Sequence, residues 1–148
     1  MVSPPARDET SNLPGVTRLL ATVAALRAPD GCPWDRKQTT ASMAPHLVEE
    51  AFEAADALRR GDDDPAAEEL GDVLVNVAMI CRIASEGDDR DQLALDDVAE
   101  RAAAKLVRRH PHVFGAEADR VDGSAAAYAN WERAKRAETS ATDGGPRG

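Results

Sequence analysis

Apolar residues recur along this chain at helical rather than alternating spacing. Val16, Leu19, Leu20, Val23 and Leu26 predict a first helix over about 16–27. Ala28-Pro29-Asp30-Gly31 ends it, and the loop Gly31-Cys32-Pro33-Trp34-Asp35 follows. A second helix is predicted over about 40–60, with Pro45 near its start and Gly61 as its stop. Asp64-Pro65 reads as the opening of a third, with Asp as N-cap and Pro at the first helical position, running to about Glu86. A fourth covers about 97–109 and stops before Pro111, with His110-Pro111-His112 read as a helix end. A fifth, capped by Ser124, covers about 125–137. No segment alternates with period two, so none is read as a strand. The pattern predicts an all-α chain, a bundle of about five helices. Residues 1–13 and 138–148 are polar and rich in Pro, Gly or Ser and read as disordered tails, leaving 14–137 as one domain.

The placement of charge on two of these helices carries the chemistry. On a helical wheel, Met43, Leu47, Val48, Ala51, Phe52, Ala54, Ala55 and Leu58 fill about half the circumference of the second helix. Glu49, Glu50, Glu53 and Asp56 occupy the rest, with Glu50 and Glu53 one turn apart. An apolar arc that wide calls for contact with more than one neighbour. The third helix is apolar nearly all round from Leu70 to Ile83 and reads as a buried central element. Glu69, Asp72 and Asn76 nevertheless share one stripe of it, with Glu68 to one side. Like charges so placed repel, and burying them without partners costs several kcal/mol or forces protonation. No Lys or Arg lies between Ala66 and Cys81, so the compensating charge is not local. Basic residues from elsewhere or divalent cations must supply it. An all-oxygen cluster suits Mg²⁺ or Mn²⁺ rather than zinc, and carboxylates spaced i,i+3 on two facing helices are a way to build such a site. The alternative is that Glu49, Glu50, Glu53 and Asp56 form a solvated face.

Composition narrows the classes. With 148 residues there is room for one domain, and with aromatics at 3% the core must be aliphatic and Ala-rich. A net charge of −9 argues against a nucleic-acid partner, though not against an anionic substrate approached through metal. Cys32 and Cys81 make no disulfide framework, and no apolar run is long enough to span a membrane. The expectation is a cytoplasmic protein with no membrane partner.

The motifs, read in order, resemble a known family. Glu50-Ala-Phe-Glu53 and Glu69-Leu-Gly-Asp72 have the ExxE…ExxD form of the all-α nucleoside triphosphate pyrophosphohydrolases. Gly31-Cys-Pro-Trp-Asp35 with Gln38-Thr39, Leu47-Val-Glu-Glu50, Glu68-Glu-Leu-Gly-Asp72 and Lys105-Leu-Val-Arg-Arg-His-Pro-His-Val-Phe114 resemble the MazG family block by block, and Trp131-Glu-Arg-Ala-Lys135 resembles its C-terminal Trp-x-x-x-Lys element. The resemblance spans about 16–135. It implies a helical protomer completed by homodimerisation, as a dimer or a dimer of dimers. It implies Mg²⁺, with Mn²⁺ as a substitute, held by Glu50, Glu53, Glu69 and Asp72 with Glu68 in or near the shell. It implies hydrolysis of a (deoxy)nucleoside triphosphate to monophosphate and pyrophosphate, in the service of nucleotide-pool house-cleaning. By position, Lys105 and Arg109 match residues that hold phosphate oxygens, and Trp131 and Lys135 match a base- or phosphate-contacting pair. Many family members carry two copies of this domain, and this chain has one.

Other residues are weighed on their own. Trp34 and Trp131, two of five aromatics, either stack a nucleobase or pack half-buried. Asn76 is either a hydrogen-bonding group of the site or a satisfied buried amide. No Ser, Cys or His is placed as a nucleophile, so direct attack by water is the economical mechanism, with Glu50 or Glu53 taking its proton. The alternatives are a narrower dUTPase-like or phosphoribosyl-ATP pyrophosphohydrolase, and a non-catalytic helical dimer module.

Overall fold

A computed structural model describes residues 13–87, 93–116 and 120–142. Parts of both segments read as tails, 1–12 and 143–148, lie outside the described residues. The described residues form seven helices and no strand: α1 (Gly15–Arg27), α2 (Pro33–Lys37), α3 (Thr40–Arg60), α4 (Asp63–Ser85), α5 (Leu95–Arg109), α6 (Pro111–Phe114) and α7 (Ser124–Thr142). The all-α expectation holds, and the two helices beyond the five read from the sequence are single turns. Each has Pro at its first position, where the missing N–H is one the helix start would leave unpaired anyway.

The chain divides into two compact units, Met1–Leu95 and Asp96–Gly148. In the first, α3 and α4 form a long antiparallel pair and α1 packs on α4. The pair is specified locally at both ends of α3. Thr39 and Ser42 form a reciprocal capping box, with Ser42 N donating to Thr39 Oγ1 at 3.0 Å and Thr39 N donating to Ser42 Oγ at 2.9 Å. At the other end Gly61 takes φ 75°, the left-handed conformation that stops a helix at little cost only for glycine. Only Gly61 and Asp62 separate the two helices, so α4 must return directly along α3.

Small side chains let the pair approach closely: Ala54, Ala57 and Ala66 are buried. Where α1 joins, Val23, Met43, Ala78 and Met79 form the core, with Leu19, Leu20, Leu26, Ile80 and Ile83 packed around it. Two expectations are corrected here. The N-cap of α4 is Asp62, without a side-chain cap bond, and Pro65 lies inside the first turn rather than at its first position; any of the first-turn residues has an N–H that the helix leaves unpaired, so Pro is tolerated throughout it. And α4 is not buried all round. Leu70 and Leu74, one turn apart, are exposed; within the first unit the described residues that pack on α4 come from α3 and, less extensively, α1.

The second unit contains α5, α6 and α7, with α6 packed on α7. None of its described residues is fully buried. The last helix continues to Thr142, five residues past the end read from the sequence. Glu138 within that extension pairs with Arg108 and Arg109 of α5.

Candidate active site

The two-residue turn sets the register of the acidic motifs. Glu50 precedes Gly61 by eleven residues and Asp72 follows Asp62 by ten; for Glu53 and Glu69 the separations are eight and seven. At about 1.5 Å of rise per residue, the two pairs come level on facing helices. Glu50, Glu69 and Asp72 each place a carboxylate oxygen within 4.8 Å of the others. Glu53 and Glu68 stand outside this group of three.

Electrostatics shows the strain of that arrangement. The Glu50 carboxyl titrates above its ordinary range, through partial desolvation and then the charges of Asp72, Glu53 and Glu49, with a smaller opposing effect of His46. Glu69 is raised likewise, by desolvation and then by Glu53, Asp72, Glu50 and Glu68. Both motifs therefore act on one field, and no basic side chain of α4 between Ala66 and Cys81 relieves it. Three oxygen donors converging in this way fit a hard divalent cation.

Asn76 stands one turn beyond Asp72 and is buried. Its Nδ2 donates to the Asp72 carbonyl oxygen at 2.9 Å, while its Oδ1 has no partner among the described residues. A buried amide with an unpaired acceptor is uncommon. A fully satisfied core amide would have both ends engaged, and Asn76 engages one among the described residues.

A raised carboxylate pKa means that the folded state binds the proton more readily than the unfolded chain. Such a group destabilises the fold above its unfolded pKa, and the penalty fades as pH falls through the folded value. Glu69→Gln is therefore expected to raise the melting temperature of the metal-free protein at pH 7, with the gain over wild type shrinking as pH falls toward 4–5. Glu86 has the opposite sign. The Arg27 hydrogen bond, reinforced by the charges of Arg27 and Arg82, holds its carboxyl below the ordinary range, so its contribution disappears only below about pH 4. Thermal unfolding across pH 3–8 checks both. A Glu69→Gln protein no more stable than wild type at pH 7 would refute the strained cluster.

The other sequence candidates fall into two groups. Trp34 belongs to the first unit, on α2, with an exposed side chain. Lys105, Arg109, Trp131 and Lys135 belong to the second. There the Arg109 guanidinium lies 5.6 Å from the Trp131 ring centroid and Lys135 Nζ lies 4.9 Å from it, so the indole is flanked by two cations. Lys105 is exposed one turn before Arg109 on α5.

Two partners of this cluster were not read from the sequence. Tyr128 stacks on Trp131 with centroids 5.8 Å apart; its i,i+3 spacing on α7 was the available signal. Glu138 accepts from Arg109 Nη2 at 2.8 Å and Nε at 3.2 Å, and both arginines hold its carboxyl below the ordinary range. It was missed because it lies in the segment read as a tail.

Comparison with known proteins follows the same blocks. Residues 38–114, which contain both acidic motifs and the Lys105–Phe114 block, match the model of the MazG nucleotide pyrophosphohydrolase domain. The chain is 42% identical over 120 residues to the nucleoside triphosphate pyrophosphohydrolase/pyrophosphatase MazG of Thermotoga maritima, an alignment covering 81% of this chain and 44% of that protein. It is 40% identical over 139 residues to the nucleoside triphosphate pyrophosphohydrolase of Escherichia coli, covering 89% and 51%. It is 37% identical over 140 residues to the uncharacterized protein YabN of Bacillus subtilis, covering 95% and 28%. The chain thus spans about half the length, or less, of these relatives. No helix among the described residues is long and apolar enough to cross a membrane.

Proposed function

The chain belongs to the MazG nucleotide pyrophosphohydrolase family, and we propose that it hydrolyses (deoxy)nucleoside triphosphates to monophosphate and pyrophosphate with Mg²⁺, or Mn²⁺ in its place. The observation that carries this reading is the convergence of Glu50, Glu69 and Asp72 from two helices onto one point. Residues 14–137 are the catalytic domain in this reading, and nucleotide-pool house-cleaning in the cytoplasm is its role.

Glu50, Glu69 and Asp72 would hold the divalent cation, with Glu53 and Glu68 completing or bordering the shell, and the cation would supply positive charge toward an anionic substrate and favour deprotonation of the attacking water. The protein's own groups do the rest. Glu53, outside the group of three, takes the proton from the attacking water, with Glu50 as the other candidate. Asn76 fixes the α4 backbone at Asp72 through its Nδ2 and offers Oδ1 as an acceptor to the bound substrate or its water. Lys105 and Arg109 neutralise phosphate charge. Trp131, flanked by Arg109 and Lys135, offers a face to a base, with Lys135 beside it for phosphate, and Trp34 offers a second aromatic contact. The active assembly is a homodimer or a dimer of dimers.

The products decide the reaction class. Incubating the protein with ATP, the other NTPs and the dNTPs plus Mg²⁺ is expected to yield monophosphate and pyrophosphate in equal amounts. Release of diphosphate and orthophosphate, with no pyrophosphatase added, would place the cut at the wrong bond.

A further inference from the structure

Beneath α2 lies a buried cation that the proposed reaction does not use. The Arg27 side chain is only 8% exposed, a position that a guanidinium occupies only when fully paired. It is the last residue of α1, yet its partners come from three other places. Nε and Nη2 grip the two oxygens of Glu86, the residue that ends α4. Nη1 donates to the backbone carbonyl of Asp35 inside α2 at 2.5 Å and to that of Gln38 just after it at 3.1 Å.

The segment so held has further hydrogen bonds to its neighbours in sequence, at the end of α1 and the start of α3. Cys32 N donates to Leu26 O at 2.9 Å, which brings Gly31 so close to α1 that a Cβ there would lie 2.3 Å from the same oxygen. Gln38 Nε2 donates to Trp34 O at 3.3 Å, and Ser42 Oγ of the α3 capping box donates to Gln38 Oε1 at 2.7 Å. α2 is five residues long with no buried residue, too short to persist by itself. It nevertheless carries Trp34 with 71% of its surface exposed. Trp34 precedes the start of α3 by six residues, and α3 is the helix that carries Glu50.

We infer that Arg27 is a positioning residue for substrate: by fixing the backbone at Asp35 and Gln38 against Glu86, it holds the exposed indole of Trp34 ready to meet the nucleoside. This rests on the pyrophosphohydrolase reading and adds a residue to it. A pre-ordered indole contributes its stacking without the entropy of ordering the loop at binding.

The test compares KM with kcat for Trp34→Ala, Arg27→Gln, the milder Arg27→Lys and Glu86→Gln, and the double variant of Arg27→Gln with Trp34→Ala. Base–aromatic stacking of roughly 1–3 kcal/mol corresponds to about a 5- to 140-fold rise in KM for Trp34→Ala. The Arg27 variants should raise KM several-fold with kcat little changed, and the double variant should be no worse than Trp34→Ala alone. In parallel, trypsin should cut after Arg36 or Lys37 faster in the Arg27 variants, while their helical circular dichroism stays at the wild-type level. Arg27 variants with wild-type KM in an active protein overturn the inference alone, as does an additive double variant or a loss confined to kcat. A wild-type protein that turns over no nucleoside triphosphate overturns the functional reading and takes this inference with it.

Discussion

Replacing Asp72 by alanine is expected to lower kcat/KM by roughly 10²–10³-fold or more, with the helical fold intact. The charge stabilisation that a divalent cation supplies to phosphoryl chemistry is on the order of several kcal/mol, and each 1.4 kcal/mol is tenfold in rate. Among the described residues Asp72 is one of three carboxylates whose oxygens converge within 4.8 Å, so its loss is expected to leave two donors and a poorly occupied cation site. The fold should survive because Asp72 is exposed and contributes repulsion to Glu50 and Glu69 rather than a favourable contact. Glu69→Ala should behave alike. Millimolar Mg²⁺, alone or with a non-hydrolysable triphosphate, should raise the melting temperature of the wild type, since the unfolded chain lacks the converged donors; at a hundredfold excess over Kd the gain is about 2.7 kcal/mol. That shift should disappear in both variants. Steady-state kinetics and thermal unfolding with and without Mg²⁺ read the two effects separately. Near-wild-type turnover of either variant would mean that the cluster is a solvated acidic face and the chemistry lies elsewhere.

How far that site was legible follows from which of its determinants are local. The level pairing of Glu50–Glu53 with Glu69–Asp72 could be anticipated because a helix stop at Gly61 and a nearby restart leave only an antiparallel return, and counting residues from the turn gives the register. The boundaries of α3 emerged as read for the same reason, since Gly61 and the residues before Thr40 act on their immediate neighbours. The start of α4 was misplaced because Asp62, Asp63 and Asp64 are all chemically competent to cap, and Pro65 is acceptable at several first-turn positions. The helices α2 and α6 were missed because five or four residues do not complete two turns, and periodicity has nothing to report over one. Arg27 carried no signal at all: two of its partners are backbone carbonyls, which every residue possesses, and the third, Glu86, is 59 residues away. The apolar surface of α4 was legible as a face that wants cover from beyond its own chain, and within one chain Leu70 and Leu74 are exposed.

That uncovered surface carries the second large expectation: the wild type should be at least dimeric, and Phe52→Glu combined with Leu74→Arg should give a 15.7 kDa monomer with little or no activity. On α3, Val48 and Phe52 lie one turn apart and are 70% and 69% exposed; on α4, Leu70 and Leu74 repeat that spacing at 45% and 54%. All four are exposed apolar side chains on the two helices that carry the acidic motifs, and monomers seldom leave large apolar patches in water. Burying a large aliphatic or aromatic side chain contributes about 1.5–3 kcal/mol when complete, and a two-fold axis uses each residue twice. The second unit points the same way, since none of its described residues is fully buried and Leu106, Val113 and Phe114 are exposed. Electrostatics adds an independent reason. The cluster at Glu50, Glu69 and Asp72 has no basic residue on its own stretch of α4, and a symmetry mate is one source of the missing positive charge. A charged residue at each of positions 52 and 74 would have to be desolvated in such an interface, at a cost that exceeds what the remaining contacts return. Sedimentation at micromolar concentration with parallel kinetics reads both outcomes. A wild-type protein that stays monomeric and fully active would show that water, not a second copy, covers these helices.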